Sequence, residues 1–169
     1  AVTLFSGTAI SGVDTRATDT ISSLTFTVTN VQDTDESLTI DGTTFVLADN
    51  ATGTTTDNSM IYLVSMSGST ATVTLTKVGG IATADAQTLV DTITYSNSDD
   101  SPTITDNRVV TLTEIKDNGG SLNGGNDTTA LDISSTITLA AVNDTPTGLP
   151  TITGTIAQGQ VLTANTGAI

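Results

Sequence analysis

Hydrophobic and polar residues alternate in several short segments of the chain, which is the pattern of half-buried β-strands. The clearest example is the segment in which Leu24, Phe26 and Val28 alternate with threonines. Similar alternation predicts strands over residues 38–40, 43–47, 60–67, 70–77, 93–95 and 108–115. The last strand shows the longest alternation, residues 130–142, and its predicted shared face consists of Leu131, Ile133, Ile137, Leu139 and Ala141.

Two short turns predict how neighbouring strands pair. Asp41-Gly42 is a type I′ hairpin signal, and this turn places Leu38 opposite Phe45. Gly68-Ser69 suits a type II′ turn. Its register pairs Met66 with Ala71, Val64 with Val73, and Tyr62 with Leu75. All six of these residues then share one face, which supports a real hairpin.

Two segments lack the alternation. Residues 83–92 predict one short helix, with Thr83 as the expected N-cap and Asp85 favourably placed in the first turn. Residues 50–59 are rich in Thr, Asp and Gly and predict a loop.

These elements predict an all-β protein, an antiparallel two-sheet β-sandwich of the Greek-key type with about seven short strands. The pattern stops at the linker that ends in Pro146. We therefore predict a sandwich module over residues 1–144. Residues 145–169 are expected to be a linker and the truncated start of a following repeat, with weak strands at 151–155 and 160–164.

Charge and composition narrow the expected functions. The 169 residues include 18 acidic and 4 basic side chains, a formal net charge of −14, which excludes nucleic acid and anionic membranes as expected partners. The absence of His and Cys excludes an imidazole base, a thiolate nucleophile, a zinc finger and disulfide bonds. No apolar run approaches the roughly 20 residues of a transmembrane helix, so no membrane insertion is expected. Sixteen of the acids are Asp, which favours turns over helices.

Acidic residues gather where the predicted strands end, and their chemistry suits calcium. This ion takes six to eight oxygens from carboxylates, carbonyls and water. The strand 108–115 runs from one end of the sandwich, here called the lower end, to the opposite upper end. The predicted calcium ligands are Asp99, Asp100, Asn143 and Asp144 at the lower end, facing the next module, and Asp117 and Asp127 at the upper end, facing the previous module.

Five phrases in the sequence, in order, resemble a repeat module of very large bacterial surface adhesins. They are LTFTVTN, ESLTIDGTT, ATADAQTLVDTITYSN, NRVVTLTEIKDNGG and GGNDTTALDISSTITLAAVNDTP. Residues 110–146 also resemble the end of a cadherin-type repeat, and residues 146–167 resemble the start of a further Ig-like repeat. The resemblance implies a cadherin-like or Ig-like module of an RTX-type adhesin, exported by type I secretion to the bacterial cell surface. It implies an extender role in cell adhesion and biofilm formation and no catalytic activity.

The same resemblance implies roles for single residues. In cadherin-type repeats, calcium lies at module junctions and stiffens the array. Asp117 matches the acid of the Asp-x-Gly turn, and Asn143-Asp144 matches the linker pair. The sequence departs from the pattern at Ala141, where an acid is usual, and it lacks an Asp-Arg-Glu triplet and an amino-terminal Pro-Glu pair. A complete multi-calcium junction is therefore not expected, and one ion or none stays open.

Several of these residues have a simpler explanation. Asp41 is expected to be only a turn residue, and an Asx turn before Gly119-Gly120 explains Asp117 equally well. Arg108 is expected to pair with a nearby acid, and the rings of Tyr62 and Tyr95 to lie in the core. The threonine faces are expected to be solvent faces, because the sequence shows no regular repeat of rows that a flat ice-binding surface needs.

The leading hypothesis is a non-enzymatic structural extender repeat of a secreted, extracellular adhesin, whose partners are calcium and neighbouring modules of the same chain. A surface glycan or protein receptor would be bound through other domains. Alternatives are a carbohydrate-binding sandwich and a self-assembling surface-filament or surface-layer subunit. The first is disfavoured because most of the five aromatic residues fall on core faces. An enzyme using the adjacent carboxylates of Asp99 and Asp100 has weaker support still, because no His, Trp or Lys lies nearby in the sequence.

Overall fold

The computed structural model of the chain describes residues 1–11, 19–121, 126–141 and 151–165. Within these ranges it has twelve β-strands and one α-helix. In chain order the elements are β1 (Val2–Thr3), β2 (Ile21–Thr29), β3 (Glu36–Ile40), β4 (Thr43–Val46), β5 (Thr52–Thr54), β6 (Ile61–Ser67), β7 (Thr70–Ile81), α1 (Thr83–Asp91), β8 (Thr94–Asn97), β9 (Arg108–Asp117), β10 (Thr128–Ile137), β11 (Thr151–Thr153) and β12 (Thr163–Asn165).

Two antiparallel sheets form the predicted all-β sandwich. The larger sheet has six strands in the order β10-β9-β2-β7-β6-β5, and the smaller has four in the order β1-β8-β3-β4. The two sheets contain ten strands, more than the seven or so predicted, and the sequence pattern missed the short strands β1 and β5 entirely. Strand β5 lies inside the predicted loop 50–59, and its sequence Thr-Gly-Thr contains no hydrophobic residue that could reveal an alternation.

The core lies between the two sheets and forms one continuous cluster of buried side chains. Leu24, Phe26 and Val28 of β2 are all fully buried, as their alternation predicts. Across the core, Phe45 of β4 stacks on Tyr62 of β6, with ring centroids 4.2 Å apart and an angle of 12° between the rings. Side chains from both sheets therefore interdigitate, and burial of their apolar area is the main stabilising term.

Both predicted hairpins are confirmed. Asp41 and Gly42 have φ angles of 52° and 73°, as a type I′ turn requires, and Leu38 pairs with Phe45. Gly68 has a φ angle of 59°, the positive first position of a type II′ turn. Strands β6 and β7 pair in the predicted register.

The predicted helix is confirmed as α1, and its apolar side chains Ala86, Leu89 and Val90 are buried in the core. The prediction of Thr83 as the N-cap was wrong. The helix begins one residue earlier, because the N–H of Ala86 donates to the carbonyl of Ala82. Ala82 is the N-cap and supplies no side-chain hydrogen bond.

The predicted common face of the last strand is confirmed only in part. Ile137 is buried, and Leu131 and Leu139 pack against the core. Ile133 is 46% exposed, because β10 is an edge strand and its register with β9 shifts between Ala130 and Ile133. Ala141 is exposed.

The strand directions define the two ends of the sandwich. At the lower end, β8 finishes at Asn97, β9 begins at Arg108 and β10 finishes at Ile137. At the upper end, β9 finishes at Asp117 beside the first residue of β2, and β10 begins. The acidic loops on either side of β9 therefore lie at opposite ends, as predicted.

Residues 151–165 form a small hairpin in which β11 pairs with β12, and every residue of this segment is exposed. The first strand lies within the predicted segment 151–155, and the second ends one residue beyond the predicted 160–164. The predicted boundary between residues 144 and 145 lies outside the described residues and stays a prediction. No helix in the described part of the chain has the length and hydrophobicity needed to cross a membrane.

Candidate functional site

At the upper end, Asp117 and Asp127 are brought together through the backbone. The N–H of Asp117 donates to the carbonyl of Asp127 at 2.9 Å. The carboxylate of Asp117 accepts the N–H of Gly119 at 2.7 Å, which is the Asx turn that the sequence left open. The carboxylate of Asp127 accepts the hydroxyl of Thr128 and lies 3.3 Å from Lys116 Nζ, and these two contacts lower its pKa. Both carboxylates thus have partners within the protein.

At the lower end, Asp99 and Asp100 lie in the loop that joins β8 to β9. Asp99 Oδ1 accepts the N–H of Ser101 at 2.8 Å, so Asp99 forms an Asx turn of its own. Asp100 is exposed, and its carboxylate has no hydrogen-bond partner among the described residues. Asn143 and Asp144, the other two predicted ligands at this end, lie outside the described residues.

A cavity of about 420 Å³ opens beside these two acids. Its lining includes Ala1, the end of β10 at Ile137 and residues 138–140, which follow that strand. Ala1 and the residues that follow β10 therefore both lie at the lower end. The expectation that the previous module faces the upper end stays a prediction.

The four described candidate ligands form two separate pairs, one at each end. Across the described ranges, no group of three or more acidic side chains converges on one point. Neither pair alone supplies the six to eight oxygens that calcium takes. A calcium site built on either pair would have to be completed by carbonyl oxygens, water or residues outside the described ranges.

The sequence did not predict the buried ionic cluster at the lower end. Arg108 begins β9 and is fully buried, and its predicted pairing with an acid is confirmed. Arg108 Nη2 lies 2.8 Å from Glu36 Oε1 and 3.1 Å from Asp33 Oδ2. Arg108 Nη1 donates to the backbone carbonyls of Thr103 and Asp106 at 2.9 and 2.8 Å. One guanidinium therefore joins β3, β9 and the acidic loop between β8 and β9.

Glu36 lies at the centre of this cluster, with an exposure of 1%. Its carboxylate also accepts the hydroxyl of Tyr95 at 2.9 Å and the backbone N–H groups of Gln32 and Asp33 at 2.8 and 3.0 Å. Burial raises the pKa of Glu36. The hydrogen bond from Arg108 and those from Tyr95 and the backbone lower it by more, so the pKa of Glu36 lies below its ordinary value. Burial and the Glu36 carboxylate raise the pKa of Tyr95, whose hydroxyl stays a donor.

Asp33 holds the acidic loop against the cluster. Its carboxylate accepts the side-chain amide of Asn97 at 2.8 Å, and both the N–H and the hydroxyl of Thr103, the latter at 2.6 Å. Burial raises its pKa, but these hydrogen bonds together with the charge of Arg108 bring the pKa below the ordinary value. Residues 97–108 are therefore tied to the sandwich by charged and polar contacts.

These lowered pKa values predict loss of stability in acid. The ordinary pKa values of Asp33 and Glu36 are 3.8 and 4.5, and both are lower in the folded protein. Their stabilisation is therefore complete above the unfolded values and is lost as the pH falls through the folded values. We expect the urea midpoint to stay constant down to about pH 5 and to fall steeply below about pH 4. An Asp33→Asn variant should show a shallower fall, and a midpoint that stays constant to about pH 3 would contradict the prediction.

The sequence predicted a turn for Asp41 but not its burial or its contacts. It is a turn residue, as predicted, but it is only 3% exposed and anchors the segment 55–58. Its carboxylate accepts the hydroxyl of Thr55 and both the backbone N–H and the side-chain amide of Asn58. Its backbone carbonyl accepts the N–H groups of Thr56 and Asp57. Asp41 therefore fixes the connection between β5 and β6 at the upper end.

The outer face of the six-stranded sheet carries hydroxyl side chains that align across the strands. One row crosses five strands and consists of Ser134, Thr111, Thr27, Thr72 and Ser65. The sequence does not display this row, because its members come from strands that are distant along the chain. Neighbouring strands in a sheet twist by roughly 20–25°, so this face is not flat, which agrees with the predicted solvent face and not with an ice-binding plane.

No protein-family model, no curated protein and no solved structure matches the chain.

Proposed function

We propose that the chain is a non-enzymatic extender repeat of a large secreted adhesin at the bacterial cell surface, stiffened by calcium where modules meet. The observation that carries the proposal is the acidic pair Asp99 and Asp100 at one end of the sandwich, beside the segment that follows β10. The resemblance of the sequence to adhesin repeats agrees with this placement. A soluble rod of such modules would carry binding domains away from the cell.

The buried charges favour a structural role over a catalytic one. Glu36 and Arg108 are the charged residues most deeply buried in the described ranges, and they face each other within the sandwich. Their hydrogen-bonding atoms are engaged by the protein itself. Groups held in this way maintain the shape of an end loop and are not free to exchange protons with a substrate.

Of the two ends, the lower end is better suited to a calcium junction. Asp100 is exposed without a protein partner among the described residues, whereas Asp127 already contacts Lys116. Ala1 and residues 139–140 line the same cavity as Asp99 and Asp100. Calcium bound here would neutralise like charges and hold those segments together.

The test is the melting temperature of the 169-residue chain in calcium and in EDTA. Extracellular modules bind calcium with dissociation constants of roughly 10⁻⁴–10⁻³ M. At ten times the dissociation constant, binding stabilises the folded state by about 1.4 kcal/mol. We therefore expect about 5 mM calcium to raise the melting temperature by roughly 3–6 °C and EDTA to reverse the shift.

Two charge-matched double variants locate the ion. Asp99→Asn with Asp100→Asn should abolish most of the calcium shift, whereas Asp117→Asn with Asp127→Asn should retain most of it. Small-angle scattering of two copies joined in tandem then tests for a stiffer particle in calcium than in EDTA. Identical melting curves in both buffers would refute the calcium proposal, and identical scattering profiles would favour a passive spacer.

A further inference from the structure

The guanidinium of Arg108 lies in a set of oxygens that resembles the ligand set of a hard cation. Five oxygen atoms lie 2.8–3.2 Å from its nitrogens. Three are carboxylate oxygens of Glu36 and Asp33, and two are the backbone carbonyls of Thr103 and Asp106. Carboxylate and carbonyl oxygens are the ligands that calcium takes in proteins.

We propose that Arg108 stands in the place of a divalent cation among these oxygens, and that they close in on a Ca²⁺ ion once the guanidinium is removed. Two carboxylates carry a charge of −2, and the guanidinium offsets one unit of it, whereas Ca²⁺ would offset both. In the native chain the loop between β8 and β9 is therefore ordered by an internal cation and needs no metal for its own structure. This inference does not depend on calcium binding at Asp99 and Asp100.

The two carboxylates of this oxygen set have anchors other than Arg108. Glu36 is also held by the hydroxyl of Tyr95 and by backbone N–H groups. Asp33 is also held by Asn97 and Thr103. Removing the arginine therefore leaves two oriented carboxylates that repel each other at close range, and this arrangement favours binding of a cation.

The experiment compares the native chain with Arg108→Ala, both in the full 169-residue form. Calorimetric titration with CaCl₂ and melting curves in calcium and EDTA are measured on both proteins. We expect the variant to bind one more Ca²⁺ than the native chain and to show a calcium-dependent rise in melting temperature at least 5 °C larger. The readout is the difference between the two proteins, so calcium binding elsewhere in the native chain cancels.

Two further variants serve as controls. Arg108→Lys keeps a positive charge in the site and should gain no calcium binding. Adding Asp33→Asn to Arg108→Ala should remove the gain, because one carboxylate is lost. Equal calcium responses of the native chain and Arg108→Ala would overturn the proposal, and so would a gain that survives Asp33→Asn or appears in Arg108→Lys.

If Arg108→Ala does not fold in EDTA, refolding is attempted in calcium. Recovery of the native circular-dichroism spectrum in calcium alone supports the proposal, because the ion then replaces the missing guanidinium. A chain that stays unfolded in both buffers overturns it.

Discussion

Replacing Glu36 by Gln is expected to lower the free energy of unfolding by about 3–5 kcal/mol, the cost of breaking a buried ion pair by removing one partner. The substitution keeps the shape of the side chain but leaves the fully buried Arg108 with Asp33 as its remaining carboxylate partner. It also replaces the Glu36 carboxylate, both oxygens of which accept hydrogen bonds, by an amide. The NH₂ group of this amide is a donor and cannot accept the N–H and O–H groups that the carboxylate accepts. Urea unfolding followed by circular dichroism measures the change.

The matched control is Glu114→Gln, at the other glutamate of the sequence. Glu114 lies on the outer face of the large sheet, opposite Thr25, and takes part in no ion pair among the described residues. Its replacement should change stability by no more than about 0.5 kcal/mol. A loss at Glu36 that does not exceed the loss at Glu114 would show that the buried cluster contributes little to stability.

The features that the sequence predicted correctly depend on short-range rules. Asp41-Gly42 and Gly68-Ser69 are turn signals that act over two residues, and they fixed the registers of two hairpins. The alternation of Leu24, Phe26 and Val28 with threonines predicted a buried face on β2 because strand geometry has a period of two. The failures at β5 and Ile133 arose where this pattern is absent or where an edge strand leaves an apolar residue exposed.

The ionic cluster needs information that the sequence does not display. Glu36 and Arg108 are 72 residues apart, and they meet because β3 and β9 belong to different sheets whose ends coincide. Arg108 could be predicted to find an acid because basic residues are few, but 18 candidates were available. The row of hydroxyls raises the same difficulty, since Thr27, Thr72 and Thr111 align only through the strand order.

Replacing Asp41 by Ala is expected to lower the free energy of unfolding by about 3 kcal/mol, through two separate effects. Loss of the carboxylate leaves the buried hydroxyl of Thr55 and the polar groups of Asn58 without their acceptor, at a cost of about 1–3 kcal/mol. Alanine at a φ angle of 52° adds about 1–2 kcal/mol of backbone strain. Hydrogen exchange should show that residues 55–60 open more often.

Two further substitutions separate these effects. Asp41→Gly accepts the positive φ and loses only the anchor, so its cost should be smaller than that of Asp41→Ala. Asp41→Asn tolerates the same backbone and retains one acceptor oxygen, so its cost should be the smallest. Asp35→Ala, at an exposed aspartate, is the control and should change stability by less than about 0.5 kcal/mol. Equal losses of stability in the Ala, Gly and Asn variants would contradict this order. Losses no larger than that of Asp35→Ala would show that Asp41 is only a turn residue.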